Sequence, residues 1–562
     1  MRKPLTLMLV VLLVLSMAAC GTTPPADSAS ATASTEASSA AATESSAAET
    51  PTEITNYTFL MDWNGGGGSF PDGWDQSEMM QEMFKKMGVS FTVETITSSE
   101  REKLATIFAS GSIPDVTNAP HWSTNPGGEG ELIKNAAVEG LLLPLNQYIE
   151  KYPNIKRLYE VGVISQTYLD KHIKHPDYNG EIYVIPTQTG RSKEDVRNWA
   201  YNLFVRKDIL TAINVKPEEI TTSEKIYEVA KAIKAGDFKD INGKPVIVGG
   251  TWHNGWDYGS FLRGFNNGGV TGWVKENGKL VNEIYTQNQV DKVLFMRKLV
   301  AEGLFDPECF TQTDTMAKEK MITGRVAMFG CHYPHEYGFF KDTLYKTNPE
   351  MEFVPVGPIL DKQGGVPSQV ERLGRSGSPV LFFSKDVKEV DKLMAFVDWA
   401  NSDEGVKYNY FGLEKYYTMN GDIPVVTDAE KAAREADPQL RNKEGFGLLP
   451  QFLGADPTLG WGWQPEYVEA GYVKAREINP LKFIDYKTAD DVVDSWEGKK
   501  AYDEQMSTTN WGDELKKAYL TQSDEEAVAI IQAQRDRMKK AGYDEMEKFL
   551  NDEVAKDPKI LN

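Results

Sequence analysis

Strand and helix signals alternate through the first third of this chain, and that alternation restricts its fold more than any other feature. Ile54 to Met61 combines apolar and β-branched residues and runs into the turn-forming Asn64-Gly65-Gly66-Gly67-Gly68. Met80, Phe84 and Met87 then fall at helical spacing over residues 77–87, and Val89 to Ile96 alternates like a second strand. A helix from about Glu100 to Ala109 stops at Gly111, a common C-terminal punctuation. This β-α-β-α order predicts a mostly parallel, helix-covered sheet. About 510 of the 562 residues share this globular character, far more than one core organises, so at least two lobes are expected.

The first fifty or so residues say where the chain works and leave its function open. Arg2 and Lys3 precede an apolar run from Leu5 to Leu15 and the small residues Ser16-Met17-Ala18-Ala19 before Cys20. A cationic start, a short apolar segment and small residues that admit a peptidase make an export signal over residues 1–19, and the segment is too short to remain as a spanning helix. The cysteine after small residues resembles the lipobox of bacterial lipoproteins, in which that thiol is acylated, although Met17 stands where Leu is usual. Residues 20–52 are almost wholly Ala, Ser, Thr, Glu and Pro and read as a disordered tether on the anchor Cys20.

Charge narrows the partners. With 61 basic against 82 acidic residues the formal net charge is −21, and −23 once Arg2 and Lys3 leave with the signal. An acidic surface argues against nucleic acid and against polyanions bound over a broad face. Besides Cys20 only Cys309 and Cys331 are present, which excludes a disulfide scaffold and leaves one bond or two buried thiols open.

Several motifs occur in a telling order. The helix ending Phe108-Ala109-Ser110-Gly111-Ser112-Ile113-Pro114-Asp115-Val116 is followed by Gly140-Leu141-Leu142-Leu143-Pro144-Leu145, Gly180-Glu181-Ile182-Tyr183-Val184-Ile185-Pro186 and Leu203-Phe204-Val205-Arg206-Lys207-Asp208-Ile209-Leu210. Later come Gly324-Arg325-Val326-Ala327-Met328, the helix Lys392 to Trp399 with Asn401-Ser402-Asp403-Glu404-Gly405, and Phe411-Gly412-Leu413-Glu414-Lys415-Tyr416-Tyr417-Thr418. Together they resemble the family 1 extracellular solute-binding proteins of bacterial sugar importers, whose L-A-S-G-x-x-P-D-[IV] element the first one matches. The closing helix from Glu525 to Lys540 resembles the longer lipoprotein branch of that family. The resemblance implies an α/β, two-lobed, periplasmic-binding-protein-like fold of class II, with discontinuous lobes and a hinge. Lobe one is expected near residues 53–187 and 375–425, lobe two near 188–374 and 426–562. A ligand that prefers the closed form would shift the equilibrium toward it.

None of the matched elements is a catalytic group, and the ligand is argued from aromatics. Sugar rings offer an apolar C–H face and a rim of hydroxyls, so receptors stack Trp or Tyr on the face and aim carboxylates, amides and Arg at the rim. Thr251-Trp252-His253-Asn254-Gly255-Trp256-Asp257-Tyr258 and Leu459-Gly460-Trp461-Gly462-Trp463-Gln464 have that composition, which makes Trp252, Trp256, Trp461 and Trp463 candidate platforms. Trp63, Trp122 beside His121, and Trp273 are smaller candidates, and Arg191, Asp257 and Glu371 are candidate polar partners. For each tryptophan the competing reading is a large core side chain, and for each charge a solvated surface group.

Metal and enzyme readings find less support. Some members of that family carry a calcium loop, and the corresponding Gly236 to Pro245 offers only Asp237, Asp240 and Asn242, short of the six to eight oxygens calcium takes. His332 and His335 are interrupted by Pro334 and lack a third ligand, so no zinc is expected and no cofactor is called for. No Gly-x-Ser-x-Gly elbow, His-Glu-x-x-His helix or Walker loop is present; the rival reading is an anchored glycoside hydrolase using a carboxylate pair. The expectation is a monomeric, lipid-anchored, non-enzymatic receptor that binds an oligosaccharide, favours neutral over acidic sugars, and hands them to importer permeases.

Overall fold

The computed structural model describes residues 53–62, 71–96, 101–121, 128–160, 168–187, 191, 201–266, 272–332, 334, 340–362, 369–372, 379–437, 439–446, 448, 452, 461–463, 475, 477–478, 481–484 and 487–560. One compact unit spans Thr52–Asn562, and within it two sheets each organise a core.

The first sheet contains β1 (Thr55–Met61), β2 (Val89–Thr95), β3 (Val116–Ala119), β4 (Ile185–Pro186) and β12 (Val380–Phe383), in the order β2-β1-β3-β12-β4. Strand periodicity distributes β1 over two faces: Tyr57, Phe59 and Met61 pack on one side and Leu60 on the other. The helix Glu78–Met87 starts where the Ser77 hydroxyl accepts from the Met80 amide, buries Met79, Met80, Met83 and Phe84, and ends at Gly88, whose φ of 67° suits glycine.

The second sheet contains β5 (Asn202–Arg206), β6 (Ile247–Thr251), β9 (Val326–Cys331) and β10 (Phe353–Pro355), in the order β10-β5-β9-β6. Leu203 and Val205 face one core and Phe204 the other. The hairpin β7 (Trp273–Glu276) and β8 (Lys279–Asn282) and the C-terminal helices from Ala489 to Lys556 complete this lobe, with Val492, Tyr519, Ile531 and Leu550 in the same cluster as Leu203.

The sheets are mixed rather than mostly parallel. β12 runs antiparallel to β3 and β4, and β5 antiparallel to β9 and β10. Each follows a segment that crosses from the other lobe. A strand entered from the opposite lobe begins at the cleft end, whereas a strand entered from its own lobe's helix begins at the far end. Two crossing segments also pair with each other, β11 (Gln369–Arg372) alongside β15 (Leu481–Ile484).

The return toward lobe two lies further along the chain than residue 426. Phe446, Leu448, Phe452 and Trp463 pack in the cluster that holds Tyr57 and Phe59, and the hairpin β13 (Tyr417–Asn420) and β14 (Ile423–Val426) contributes Tyr417 and Val426 to it.

Candidate functional site

In open α/β sheets ligands bind beyond the carboxyl ends of the strands, and both sheets of this chain carry polar and aromatic groups there. In lobe one, β1 is followed directly by Asp62, which is 3% exposed and whose amide donates to the Asn118 carbonyl at 2.8 Å. His121, just beyond β3, is buried; its Nδ1 lies 2.8 Å from the Tyr168 hydroxyl, and the His172 ring meets it edge-on at 6.3 Å. Burial, reinforced by His172, lowers the His121 pKa to about 3, so this imidazole is neutral and acts only through hydrogen bonds. Thr187, after β4, donates its amide and hydroxyl to the Pro379 carbonyl at 3.2 and 2.6 Å, tying the exit from β4 to the entry into β12.

In lobe two the loop following β6 is held tightly. Gln312 donates to the carbonyls of Thr251 and Trp252 at 2.8 and 3.2 Å, and its own carbonyl accepts from the Asn254 amide at 3.2 Å. Asp314 accepts from Trp252 Nε1 at 2.7 Å and pairs with His253 Nδ1. Asn254 and Asp257 have φ of 49° and 63°, left-handed conformations that the surrounding contacts maintain. Trp256, half-buried, lies parallel to His253 at 6.4 Å and edge-on to Tyr201 at 5.5 Å; Tyr201 in turn meets His332 at 4.9 Å. Arg263 donates to the Tyr201 carbonyl at 2.6 Å. Burial pushes the Asp257 pKa up to about 6 against the opposing pull of Arg263 and the hydrogen bond from Ser260 at 2.7 Å.

The sequence candidates divide accordingly. Trp256 and Asp257 stand at the carboxyl end of the second sheet. Trp252 shares their loop but is 7% exposed, with its ring against Phe329 at 5.9 Å. Trp273 belongs to the core: it is buried and lies parallel to Tyr543 at 6.1 Å, which covers the face a sugar would need. Trp463 is likewise buried, edge-on to Phe411 and donating to the Asp422 carbonyl at 3.0 Å. Trp461 is half-buried; it donates to Asp403 at 3.0 Å, and the Arg191 guanidinium sits 4.8 Å over its ring while pairing with the same carboxylate at 3.3 Å. Arg191 thus occupies one face of Trp461. Glu371 lies in β11 opposite Phe483, and its side chain falls outside the described residues, as do Trp63, Trp122 and Cys20.

Six residues of these strand-end clusters were not singled out as ligand candidates by sequence: Asp62, Thr187, Tyr201, His332, Tyr168 and His172. Tyr168 and His172 lie against each other four residues apart, but the contacts that bring them to His121, and Tyr201 to Trp256 and His332, join residues tens of positions apart, so their place beside the strand ends is a property of the fold.

The stretch that corresponds to the family's calcium loop is organised by protein groups. Asp240 accepts from the amides of Asn242 and Lys244, both at 2.8 Å, and Asp237 pairs with Lys239. Arg206, 1% exposed, donates to the carbonyls of Lys239 and Gly324 at 3.0 and 2.6 Å and to the Asp208 carboxylate. Among the described residues no three His, Cys, Asp or Glu side chains gather around a metal position. Cys309 and Cys331 are both free and buried; Cys309 accepts from the Thr251 amide, and burial pushes its pKa up to about 12. No described helix is long and apolar enough to cross a membrane.

The family model described as bacterial extracellular solute-binding protein matches residues 68–407. A polygalacturonan/rhamnogalacturonan-binding protein of Bacillus subtilis strain 168, YtcQ, is 23% identical over 343 residues, 60% of this chain and 62% of that protein. Lipoprotein LipO of the same strain is 26% identical over 264 residues, 45% of this chain and 46% of that one. The match therefore spans less than two thirds of the length of either curated relative. Among solved structures, alginate-binding protein AlgQ2 superposes with a TM-score of 0.59 at 20% identity, covering 89% of this chain and 99% of that one. The FusA substrate-binding protein of S. pneumoniae gives 0.54 at 16% identity, covering 90% and 100%. Those superpositions show the two-lobed α/β fold, and the family match covers more than half of the sequence. The chain belongs to the bacterial extracellular solute-binding proteins.

Proposed function

We propose that this protein is the lipid-anchored, monomeric substrate-binding component of an ABC importer, and that it captures an oligosaccharide between its lobes for transfer to membrane permeases. The observation that carries this reading is the pair of strand-end clusters. Tyr201, Trp256, His253 and His332 in lobe two combine aromatic surface with ring nitrogens and a hydroxyl, and Asp62, His121, Tyr168 and Thr187 in lobe one supply hydrogen-bonding groups. That mixture suits a ring with an apolar face and a hydroxyl rim. YtcQ and AlgQ2, named for the polysaccharides they bind, support a saccharide ligand.

Lobe one on this reading comprises residues 53–187 and 379–463, and lobe two residues 201–362 and 487–560. Residues 1–19 are the export signal, Cys20 the acylated anchor, and 20–52 the tether. The protein performs no chemistry: its role is binding and release, and it needs no cofactor.

The test is thermal denaturation of the mature chain against a panel of oligosaccharides, with each sugar analysed afterwards. A ligand at 100 times its dissociation constant stabilises by about 2.7 kcal/mol. A selective rise with the sugar recovered intact supports the receptor; cleavage of the sugar supports the anchored hydrolase, and no rise with any sugar refutes saccharide capture.

A further inference from the structure

We propose that Arg263 is the specificity-determining cation of the cleft, receiving the carboxylate of an acidic sugar while Asp257 takes up a proton; the inference rests on the reading of the ligand as a saccharide. Arg263 lies in the short helical segment Tyr258–Phe265, and its Nη2 donates to the Tyr201 carbonyl at 2.6 Å. Tyr201 directly precedes β5, which is entered from lobe one and so begins at the cleft, and its ring meets Trp256 and His332. One hydrogen bond therefore holds the guanidinium beside the aromatic cluster. Its other donors are unused: Arg263 is 3% exposed, and Nε and Nη1 are buried with no hydrogen-bond partner among the described residues. Buried polar groups are nearly always paired, and a charged donor left unpaired is the most costly kind. Tyr201, Trp256 and Asp257 are only half-buried, so solvent reaches the residues that flank the guanidinium.

Nη2 gives one hydrogen to Tyr201, and its other shares an edge with Nε or Nη1, so one two-donor edge remains for a planar acceptor. A carboxylate fits that edge and makes charge-assisted bonds roughly twice as strong as those of a neutral hydroxyl. Asp257 offsets the guanidinium charge without accepting from Nε or Nη1; its Oδ2 accepts from the Ser260 hydroxyl at 2.7 Å. The two side chains are neutral as a pair, so a ligand carboxylate adds an uncompensated anion to a desolvated place. Burial already pushes the Asp257 pKa up to about 6, a second carboxylate beside it raises it further, and one proton from solvent restores the balance. The groups facing this carboxyl are Arg263 and Ser260 on its own segment, and Cys331 and His332 at the end of β9. Arg263 stays charged at these pH values, and burial keeps the Cys331 thiol protonated. This local field reverses the preference for neutral sugars that the overall charge suggests.

The experiment is titration calorimetry of the full mature chain with trisaccharides matched in ring stereochemistry and differing at C6: galactotriose against trigalacturonate, mannotriose against trimannuronate, and cellotriose against triglucuronate. In at least one pair the uronate should bind tighter than its neutral partner by about tenfold or more. Its affinity should rise by about tenfold or more from about pH 8 to about pH 6, and titrations near neutral pH in phosphate and in Tris should differ in heat by the uptake of a proton. Asp257→Asn should abolish that uptake, and Arg263→Lys, which keeps the charge and loses the planar fork, should weaken the uronate by about tenfold or more. The wild-type titrations decide the matter if neither variant folds. A neutral member that binds as tightly as its uronate in every pair, or uronate binding that takes up no proton, overturns this inference and leaves saccharide capture standing. Silence in all three pairs overturns both.

Discussion

Asp257→Asn should stabilise the protein at neutral pH and do much less at acid pH. The folded state raises the pKa of this carboxyl from 3.8 to about 6, chiefly through burial. A group with a raised folded pKa contributes stability that is fully present below its unfolded pKa of 3.8 and is lost as pH rises through about 6. At about 1.36 kcal/mol per pH unit, the interval from 3.8 to about 6 corresponds to about 3 kcal/mol. Asp257 retains some contact with solvent, and screening there trims the figure to about 1–2 kcal/mol. Asparagine keeps an oxygen for the Ser260 hydroxyl and cannot ionise, so it mimics the protonated form at every pH. Wild type and variant should therefore melt together near pH 4 and separate above pH 6, the variant by about 1–2 °C higher, because a unit of this length unfolds with an entropy of about 1 kcal/mol/K. Equal melting temperatures across the range, or a variant that melts lower at pH 7.5, would show that Arg263 rather than burial dominates the environment of this carboxyl.

Two tryptophans separate site from core. Trp256→Ala should weaken sugar binding by about 1–3 kcal/mol with the fold intact, as calorimetry and melting together would report. Trp273→Ala should instead destabilise by about 3–5 kcal/mol and leave the affinity of the folded fraction unchanged, because Tyr543 covers its ring. Arg206→Met removes a buried guanidinium from the carbonyls of Lys239 and Gly324 and from Asp208, and urea denaturation should register a loss of about 3–5 kcal/mol; a neutral result would mean that the loop closes without it.

Much of the first sheet was legible in the sequence because its signals are local. The alternation of Tyr57, Phe59 and Met61 and the spacing of Met80, Phe84 and Met87 depend only on neighbours, and the strand and helix follow them. Strand direction was not legible: β12 and β5 run against the pattern because they begin at crossings, and nothing near Val380 or Asn202 records from which lobe the chain arrives. The candidate aromatic cluster was legible only in part. A loop rich in Trp, His and Asn pointed to Trp256, while the glycine-flanked Trp461-Gly462-Trp463 segment also selected Trp463, and Trp273 stood as a smaller candidate; the covers of these two, Phe411 and Tyr543, are distant in sequence. Tyr201 precedes a strand with no distinguishing neighbour, and only the sheet brings it beside Trp256 and His332.

The account holds that two lobes close on a sugar at the carboxyl ends of their sheets. Small-angle X-ray scattering of the mature chain, with and without the oligosaccharide that stabilises it most, tests this directly. A smaller radius of gyration in the bound state is the predicted result; a tightly bound sugar that leaves the scattering unchanged would contradict capture by lobe closure.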